Sequence, residues 1–195
     1  MKILVTAGST WVKIDEIRIL TNKFRGVTGL KIARGLQKKG HVVKLLINPH
    51  CTGKITGIPV KYFRYFDEFK NAVTSMLKKD KFDAIIHSAA VSDYILLRTL
   101  PGKVSSGKPD LTLRLWPAEK IIKRIKSLAR GSLVIQFKLE IEREGLIEKA
   151  YRSLIANGSD AVVANALDDL KKGYSCFLID RGRKVKEVKS RTVLI

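Results

Sequence analysis

Strand-like apolar runs and amphipathic helix-like runs alternate through the first half of the chain, and this alternation restricts the fold more than any other feature of the sequence. The strand patterns cover residues 1–7, 41–47, 60–63 and 83–88, and the helix patterns between them cover residues 27–39 and 67–79. Such alternation implies parallel strands joined by right-handed helical crossovers. It predicts an α/β fold with a doubly wound, mostly parallel, Rossmann-like sheet and helices on both faces. Ligands of such sheets bind at the carboxyl ends of the strands.

The second half of the chain continues this pattern and adds two features. Strands are predicted at residues 111–116, 133–139 and 161–164, a helix at residues 146–157, and another helix with Pro117 in its first turn. Residues 174–180 and 184–188 flank a short turn and predict a C-terminal β-hairpin. Residues 89–110 lack any such pattern and form a segment longer than an ordinary connection, which is typical of functional or disordered segments. The length of 195 residues with 45% hydrophobic content predicts one domain, residues 1–195.

The chain is strongly basic, with 38 Lys and Arg residues against 18 Asp and Glu residues and a formal net charge of +20. This charge suits nucleic acid or small polyanionic ligands. Lysine pairs such as Lys38-Lys39 and Lys78-Lys79 lie at predicted helix ends, where cations complement the helix dipole. Since no RGG segment, low-complexity arm or zinc knuckle accompanies them, small polyanions rank above nucleic acid, which is not excluded. An unusually basic proteome is the remaining explanation.

The sequence also bears on location and on metal chemistry. It contains no uninterrupted apolar run of about 18 residues, and Met1 leads directly into a predicted strand. We therefore expect neither a membrane span nor a signal peptide, and a cytoplasmic protein. Cys51 and Cys176 do not form a CxxC motif, and no set of histidines accompanies them. Neither a zinc site nor a disulfide framework is therefore expected.

The first strand ends in a turn that suits a phosphate group. Gly8, Ser9 and Thr10 follow the strand, and a helix start near such a turn places unpaired backbone N–H groups where an anion can bind. An ordinary strand–helix connection would have a similar sequence. The turn lacks the GxGxxG pattern, and the second strand ends at Asn48 without an acidic residue for a ribose, so NAD is not expected. The sequence contains neither a P-loop nor a GxSxG nucleophile elbow.

Four sequence blocks occur together and in order. They are Leu4-Val5-Thr6-Ala7-Gly8-Ser9-Thr10 with Ile14-Asp15 and Arg18; Ile19-Leu20-Thr21-Asn22 with Gly26 and Gly29; Ser88-Ala89-Ala90-Val91-Ser92-Asp93-Tyr94, followed by Lys103; and Val163-Ala164-Asn165. In these blocks the chain resembles phosphopantothenoylcysteine synthetase over most of its length. The flavin decarboxylase domain that often precedes this family is not in the sequence, so the resemblance implies a stand-alone form without FMN.

The resemblance implies a ligase of coenzyme A biosynthesis. Members of the family join 4′-phosphopantothenate to cysteine after CTP, or ATP in other branches, converts the carboxylate to an acyl-nucleotide with loss of pyrophosphate. The resemblance also implies Mg²⁺ with the nucleotide, although the sequence does not identify its protein ligands. It further implies a homodimer in which residues 94–109 form a flap that reaches the neighbouring subunit's site. The alternative function is a non-catalytic nucleotide- or nucleic-acid-binding protein on the same fold.

The resemblance assigns roles to individual residues. Asn22, at the acyl group, and Lys103, a mobile cation over developing charge, would be catalytic. The nucleotide-binding residues would be Gly8, Ser9, Thr10, Ala89, Asp93, Lys103, Phe137 and Arg152, and the substrate-binding residues would be Asn22, Arg25, Gly26, Gly29 and Ala90. Taken singly, Asn22 and Asp93 could be caps, Lys103 a surface lysine and Phe137 a core residue.

Three segments depart from the family pattern. The family's Ser-Ser-Gly reads Phe24-Arg25-Gly26, which loses two hydroxyls and gains a cation. The segment of Asn-Pro-Asp type that contacts the base reads Ala118-Glu119-Lys120. The lysine-bearing helix reads Tyr151-Arg152-Ser153-Leu154-Ile155-Ala156-Asn157, where Arg152 is the cation offered to a triphosphate. These departures leave the choice between CTP and ATP open and allow an altered substrate or a weakened activity.

Overall fold

The computed structural model describes residues 1–51, 55–107, 110–172, 174–190 and 194. In chain order its elements are β1 (Lys2–Ala7), β2 (Trp11–Lys13), β3 (Ile19–Thr21), α1 (Val27–Lys38), β4 (Val42–Ile47), a 3₁₀ turn (Pro49–Cys51), β5 (Val60–Tyr62), α2 (Phe66–Lys79), β6 (Ala84–His87), β7 (Tyr94–Ile95), β8 (Trp116–Pro117), α3 (Ile121–Leu128), β9 (Leu133–Glu140), α4 (Leu146–Asn157), β10 (Ala161–Ala166), α5 (Leu167–Lys172), β11 (Cys176–Asp180) and β12 (Val185–Val188). None of the helices in these ranges has the length and apolar character needed to cross a membrane.

Eight strands form one sheet in the order β12-β11-β10-β9-β6-β1-β4-β5. Neighbouring strands from β10 to β5 are parallel, whereas β11 and β12 are antiparallel to their neighbours. β1 lies inside the sheet, where Val5 is opposite Leu45 on one side and Ile86 on the other. The mostly parallel sheet and the C-terminal hairpin predicted from the sequence are confirmed.

Successive side chains of β1 pack on opposite faces of the sheet. Leu4 belongs to a buried cluster with Phe69 of α2 and Ile125 of α3, whereas Val5 belongs to a cluster with Leu30 of α1. α4 packs on β10 and β11 next to α3. The predicted helices on both faces are therefore confirmed, and the two layers leave the carboxyl ends of the central strands for a ligand.

The sequence-based prediction missed the helix α5 and differs from the structure in two further stretches of the chain. Residues 111–115 form no strand; only Trp116 and Pro117 pair, with Ile95 and Tyr94, and α3 begins at Ile121 rather than at the proline. Most of residues 111–116 are exposed, so their alternating pattern has no buried face to support a strand. Residues 11–21 fold as an unpredicted β2–β3 hairpin, whose three-residue strands are too short to give a periodic pattern.

Candidate active site

A cavity of about 830 Å³ opens at the carboxyl ends of β1, β6 and β9. It is lined by Gly8, residues 22–29, 87–93, 119–122 and 136–139, Ser153, Asn157, Asn165 and Tyr174. This is where a doubly wound sheet binds its ligand, and the volume lies within the usual range of small-molecule sites. Of the predicted site residues, Gly8, Asn22, Arg25, Gly26, Gly29, Ala89, Ala90, Asp93 and Phe137 line it, and Ser9, Thr10, Lys103 and Arg152 do not.

Partly buried hydrogen bonds hold the turn after β1. Gly8 has a φ of 82°, a conformation that favours glycine. A Cβ at this position would lie 2.8 Å from the Cβ of Asn48, so a side chain is excluded. The Ser9 hydroxyl donates to the C=O of Phe24 at 2.6 Å, and the Thr10 hydroxyl lies 3.0 Å from that of Ser92. Ser9 and Thr10 thus direct their hydroxyls to neighbouring loops, and their predicted contacts with a nucleotide stay a prediction.

The helix α1 begins beside the cavity. Its N-cap, Gly26, has a φ of 77°, and its first turn contains no acidic residue. A Cβ at Gly29 would overlap the Oγ of Ser88 and would lie 2.7 Å from the Cβ of Ala7, so glycine lets the helix approach the sheet closely. The positive end of the helix dipole and Arg25 therefore lie at the same part of the cavity, an arrangement that attracts a phosphate group.

Asn22 and the loop between β6 and β7 meet at the same cavity. Asn22 directly follows β3, and its Nδ2 donates to the C=O of Ala90 at 3.4 Å. The N–H of Ala90 in turn donates to the C=O of Gly8 at 2.9 Å, and Ala89 precedes it in the cavity lining. The unpredicted β2–β3 hairpin therefore brings the side-chain amide of Asn22 to the loop that borders the β1 turn.

Three residues predicted to bind the nucleotide lie in different surroundings. Asp93 lines the cavity, and its carboxylate accepts a hydrogen bond from Lys120 Nζ at 2.6 Å. Phe137 also lines the cavity and packs in addition against the hydrophobic cluster beneath α1. The Arg152 side chain is 77% exposed and pairs with Glu148 at 3.1 Å.

Lys103 lies outside the lining of the cavity. The N–H of Val104 donates to Asp15 Oδ2 at 3.0 Å, and the N–H of Glu16 donates to the C=O of Gly102 at 3.1 Å. The backbone on both sides of Lys103 is thus held against the β2–β3 hairpin. The role predicted for Lys103, a mobile cation at the reacting groups, stays a prediction.

Asp15 is the buried anchor of the flap, with 1% of its surface exposed. Burial alone would raise the pKa of this carboxyl, but the N–H groups of Val104, Ile17 and Arg18 and the positive charge of Arg18 outweigh it and lower the pKa to about 2. The guanidinium of Arg18 donates to Asp15 Oδ2 at 2.7 Å and to the C=O of Val104 at 3.1 Å. The carboxylate is therefore charged at neutral pH and joins hairpin to flap.

We expect Asp15→Asn to loosen the flap, because a neutral amide offers one acceptor oxygen in place of two charged ones. Hydrogen exchange at the Val104 amide should become at least about tenfold faster. In the unchanged protein the Asp15 carboxylate stabilises the fold fully above its unfolded pKa of about 4. That stabilisation is lost as the pH falls toward the folded pKa of about 2. Asp67→Asn, at an exposed carboxylate of α2, is the control. Unchanged exchange at Val104 would contradict this role.

His87 lines the cavity as a neutral imidazole. Its Nδ1 lies 2.8 Å from Thr6 Oγ1, and its ring stacks on Phe69 with centroids 5.8 Å apart. Burial lowers the pKa of His87 to about 4, so the ring is uncharged at neutral pH. It can hydrogen-bond a ligand without adding charge. No role was predicted for His87 from the sequence. The signal that could have identified it is its place as a polar residue at the carboxyl end of the apolar strand β6.

Four further polar residues of the lining were given no role from the sequence. They are Gln136 and Lys138 on β9, and Ser153 and Asn157 on α4. Gln136 is 3% exposed and interrupts the apolar run of β9, which was the signal that could have identified it. Its partners on α4 could not be identified from the sequence, because the contact depends on how the helix lies on the strand.

Comparisons with known proteins identify the family of the chain. A family model described as DNA/pantothenate metabolism flavoprotein C-terminal domain matches residues 1–189. The Coenzyme A biosynthesis bifunctional protein CoaBC of Thermococcus kodakarensis is 36% identical over 168 residues, which cover 85% of this chain and 41% of that protein. Its namesake from Methanocaldococcus jannaschii is 28% identical over 180 residues, which cover 89% and 41%. The chain spans about two fifths of the length of these curated relatives.

Solved structures share the fold. The DNA/pantothenate metabolism flavoprotein from Streptococcus pneumoniae has a TM-score of 0.88 at 23% identity, covering 100% of this chain and 94% of that chain. A variant of Cab2 in complex with phosphopantothenate-cysteine has a TM-score of 0.84 at 18% identity, covering 99% and 83%. The family match over residues 1–189 confirms the family predicted from the sequence blocks. The chain belongs to the family of DNA/pantothenate metabolism flavoprotein C-terminal domains.

Proposed function

We propose that the chain is a ligase of coenzyme A biosynthesis that joins 4′-phosphopantothenate to cysteine. The observation that carries this proposal is the convergence of the α1 start, Asn22 and the β6–β7 loop on one cavity, in a family whose curated relatives are named for coenzyme A biosynthesis. A cavity of about 830 Å³ has room for a nucleotide together with a second substrate.

In the first step a carboxylate oxygen of 4′-phosphopantothenate attacks the α-phosphorus of CTP or ATP, so that an acyl-nucleotide forms and pyrophosphate leaves. The phosphate of 4′-phosphopantothenate lies at the α1 start, where the helix dipole and Arg25 attract it. The nucleotide lies on the β1 turn and the β6–β7 loop, at Gly8, Ala89 and Asp93, with Phe137 beside its ring. This arrangement brings the carboxylate and the α-phosphorus together within one cavity.

In the second step the amine of cysteine attacks the acyl carbon, an amide bond forms and the nucleoside monophosphate leaves. Asn22 lies between the nucleotide turn and the α1 start and carries a side-chain amide. Its Nδ2 can donate to the acyl oxygen, where negative charge develops, and its Oδ1 can accept from the incoming amine. The amide aligns both groups without adding charge beside the phosphates.

Mg²⁺ would reach this site together with the nucleotide. Within the described ranges of the chain, no group of three or more His, Cys, Asp or Glu side chains is arranged to hold a metal ion. The side chains of these ranges therefore do not fit a metal ion held by the protein alone. Mg²⁺ commonly binds through substrate phosphates with few protein ligands, so we assign it to the triphosphate and attribute no step to it.

The protein is proposed to act as a homodimer. Five large apolar side chains of the flap and of the segment that follows it, residues 111–116, are exposed: Tyr94, Leu97, Leu111, Leu115 and Trp116. Exposed apolar surface of this kind is typical of subunit contacts. Lys103 lies in the same flap and does not line the cavity of its own subunit. We therefore assign Lys103 to the partner's cavity, where its cation would stabilise charge developing at the α-phosphorus.

Mixing two inactive variants tests this assignment. Asn22→Asp and Lys103→Gln each remove one group of the site, and a mixed dimer contains one cavity with both groups intact if Lys103 serves the partner. Dissociation, mixing and reassociation should then recover roughly a quarter of wild-type activity, because half of the dimers are mixed and half of their cavities are complete. Each variant taken through the same procedure alone is the control. No recovery on mixing would place Lys103 outside the partner's cavity.

A product assay tests the proposed function. The protein is incubated with 4′-phosphopantothenate, cysteine, Mg²⁺ and either CTP or ATP, and phosphopantothenoylcysteine is measured by mass spectrometry. Omission of any one substrate should abolish the product, and the comparison of CTP with ATP identifies the nucleotide. Absence of the product with both nucleotides would overturn the proposal.

The net charge of +20 favours a second candidate, a non-catalytic nucleotide- or nucleic-acid-binding protein. Such a protein would bind generic RNA or DNA stoichiometrically, and the affinity would fall steeply with salt, since each phosphate contact releases counterions. A salt titration of RNA binding separates the two candidates. We expect only weak, non-saturable binding, because the polar groups of the site converge on a cavity of the size of small ligands.

A further inference from the structure

Three exposed cations follow one side of α1. Lys31, Arg34 and Lys38 are separated by three and four residues, so they lie on the same face of the helix. We call them the α1 cation row. Val27, four residues before Lys31, belongs to the same face and lines the cavity. The row therefore begins where the cavity opens and runs away from it along the helix.

Helix geometry gives the distance of these charges from the cavity. At a rise of about 1.5 Å per residue, the Cα atoms of Lys31, Arg34 and Lys38 lie about 6, 10 and 16 Å beyond that of Val27 along the axis. The Cα–Cβ bonds of a helix tilt toward its N-terminus, so the long side chains start out in the direction of the cavity. At an ionic strength of about 0.01 M the screening length is about 30 Å, and all three charges then act on an anion at the mouth of the cavity.

The surroundings of the row contain no carboxylate that would weaken it. Residues 17–66 include 11 Lys and Arg residues and no Asp or Glu residue. This range supplies α1 itself, the strand β4 against which α1 packs, and the segment before β5, where the C=O of Gly57 accepts a hydrogen bond from Gln37. The ion pairs found among the described residues involve none of the three side chains of the row. Their charges therefore act together on the solvent beside the cavity.

We propose that the α1 cation row guides 4′-phosphopantothenate into the cavity. This inference rests on the proposed function, in which the phosphate of this substrate lies at the α1 start beside Arg25. The row attracts the anion before it reaches the cavity, which raises the local concentration of the substrate at the mouth and the rate of association. None of the three residues lines the cavity, so the row makes no contact with the bound substrate and leaves its rate of dissociation unchanged.

Stopped-flow measurements of 4′-phosphopantothenate binding test the guide. In the double variant Lys31→Gln/Arg34→Gln, the association rate constant should fall about threefold to tenfold at about 10 mM salt. The decrease should be smaller at about 150 mM salt, because the screening length shortens from about 30 Å to about 8 Å. The dissociation rate constant should stay at the wild-type level at both salt concentrations, and an unchanged melting temperature shows that the variant is folded.

Single variants test the dependence on position. Lys31→Gln should slow association most and Lys38→Gln least, in the order of their distance from the cavity. The effect of Lys38→Gln should disappear at about 150 mM salt, where its distance exceeds the screening length of about 8 Å. Lys31→Glu should slow association more than Lys31→Gln, because it replaces attraction by repulsion. Equal effects of all three neutral variants would overturn a guide that begins at the cavity.

Lys78→Gln/Lys79→Gln is the matched control for the double variant. It removes the same net charge, but these exposed lysines end α2, which packs on the opposite face of the sheet from α1. Its association rate constant should equal that of the wild type. Equal association by the α1 double variant and this control would overturn the guide and leave the proposed function in place.

Two further outcomes would also overturn the guide. A change confined to the dissociation rate constant would show that the row contacts the bound substrate. Unchanged association together with the loss of stoichiometric RNA binding would assign the row to nucleic acid. Failure of the wild-type protein to bind 4′-phosphopantothenate at either salt concentration would overturn the proposed function and the guide together.

Discussion

Asn22→Asp should block product formation after the acyl-nucleotide has formed. The wild-type amide donates to the C=O of Ala90 at 3.4 Å, whereas a carboxylate has no hydrogen to donate and places a negative charge beside the phosphates. Loss of a donor at a developing oxyanion lowers the rate by about a hundredfold to a thousandfold. Quenched samples containing nucleotide and 4′-phosphopantothenate should accumulate the acyl-nucleotide, and added cysteine should fail to consume it.

Asn71→Asp is the matched control for this variant. It makes the same chemical change at an exposed position of α2, away from the cavity lining. We expect wild-type turnover from it. Near-normal turnover by the Asn22 variant, or a lower melting temperature with unchanged specific activity, would show that Asn22 is a structural cap and not part of the acyl site.

Gly29→Ala should lower the stability of the fold, because glycine at this position lets α1 approach the sheet closely. Alanine ordinarily favours a helix over glycine by about 1 kcal/mol. Here the added Cβ would overlap Ser88 Oγ and lie 2.7 Å from the Cβ of Ala7, so α1 must move away from the sheet. Overpacking of this kind costs about 1–3 kcal/mol or more, and we expect the melting temperature to fall by about 5 °C.

The same displacement should weaken the binding of 4′-phosphopantothenate, because the α1 start would no longer lie at the cavity. Ser88→Ala in the Gly29→Ala background removes the nearer of the two contacts and should recover part of the lost stability. The Ser88→Ala variant alone is the reference for this comparison. A Gly29→Ala protein as stable as wild type would show that α1 does not need this close approach.

The main layers of the fold could be predicted because they depend on local patterns. The apolar run of β1, the amphipathic pattern of α1 and the alternation between them each reflect burial on one or two faces, which periodicity reports directly. Residues 111–115 have the same alternation and form no strand, because pairing with the neighbouring chain is confined to Trp116 and Pro117. An alternating apolar and polar sequence therefore forms a strand only where a neighbouring strand has a free edge with which it can pair.

The candidate site was predictable in part, through the order of sequence blocks. These blocks identified Gly8, Asn22 and Gly29, which all line the cavity. The blocks could not show that Ser9 directs its hydroxyl to the C=O of Phe24, because this contact depends on the fold of the intervening hairpin. Nor could they show that Gln136 meets α4, because that contact depends on the packing of a helix onto a strand that lies apart from it in the sequence.

Release of pyrophosphate in the absence of cysteine tests the central claim most directly. The protein is incubated with Mg²⁺ and CTP or ATP, with and without 4′-phosphopantothenate, and pyrophosphate and acyl-nucleotide are measured within the first turnover. We predict about one equivalent of each per active site when 4′-phosphopantothenate is present, and neither when it is absent, since its carboxylate is the nucleophile. Pyrophosphate release that is independent of 4′-phosphopantothenate, or no release with either nucleotide, would contradict the assignment of this cavity to an acyl-nucleotide ligase.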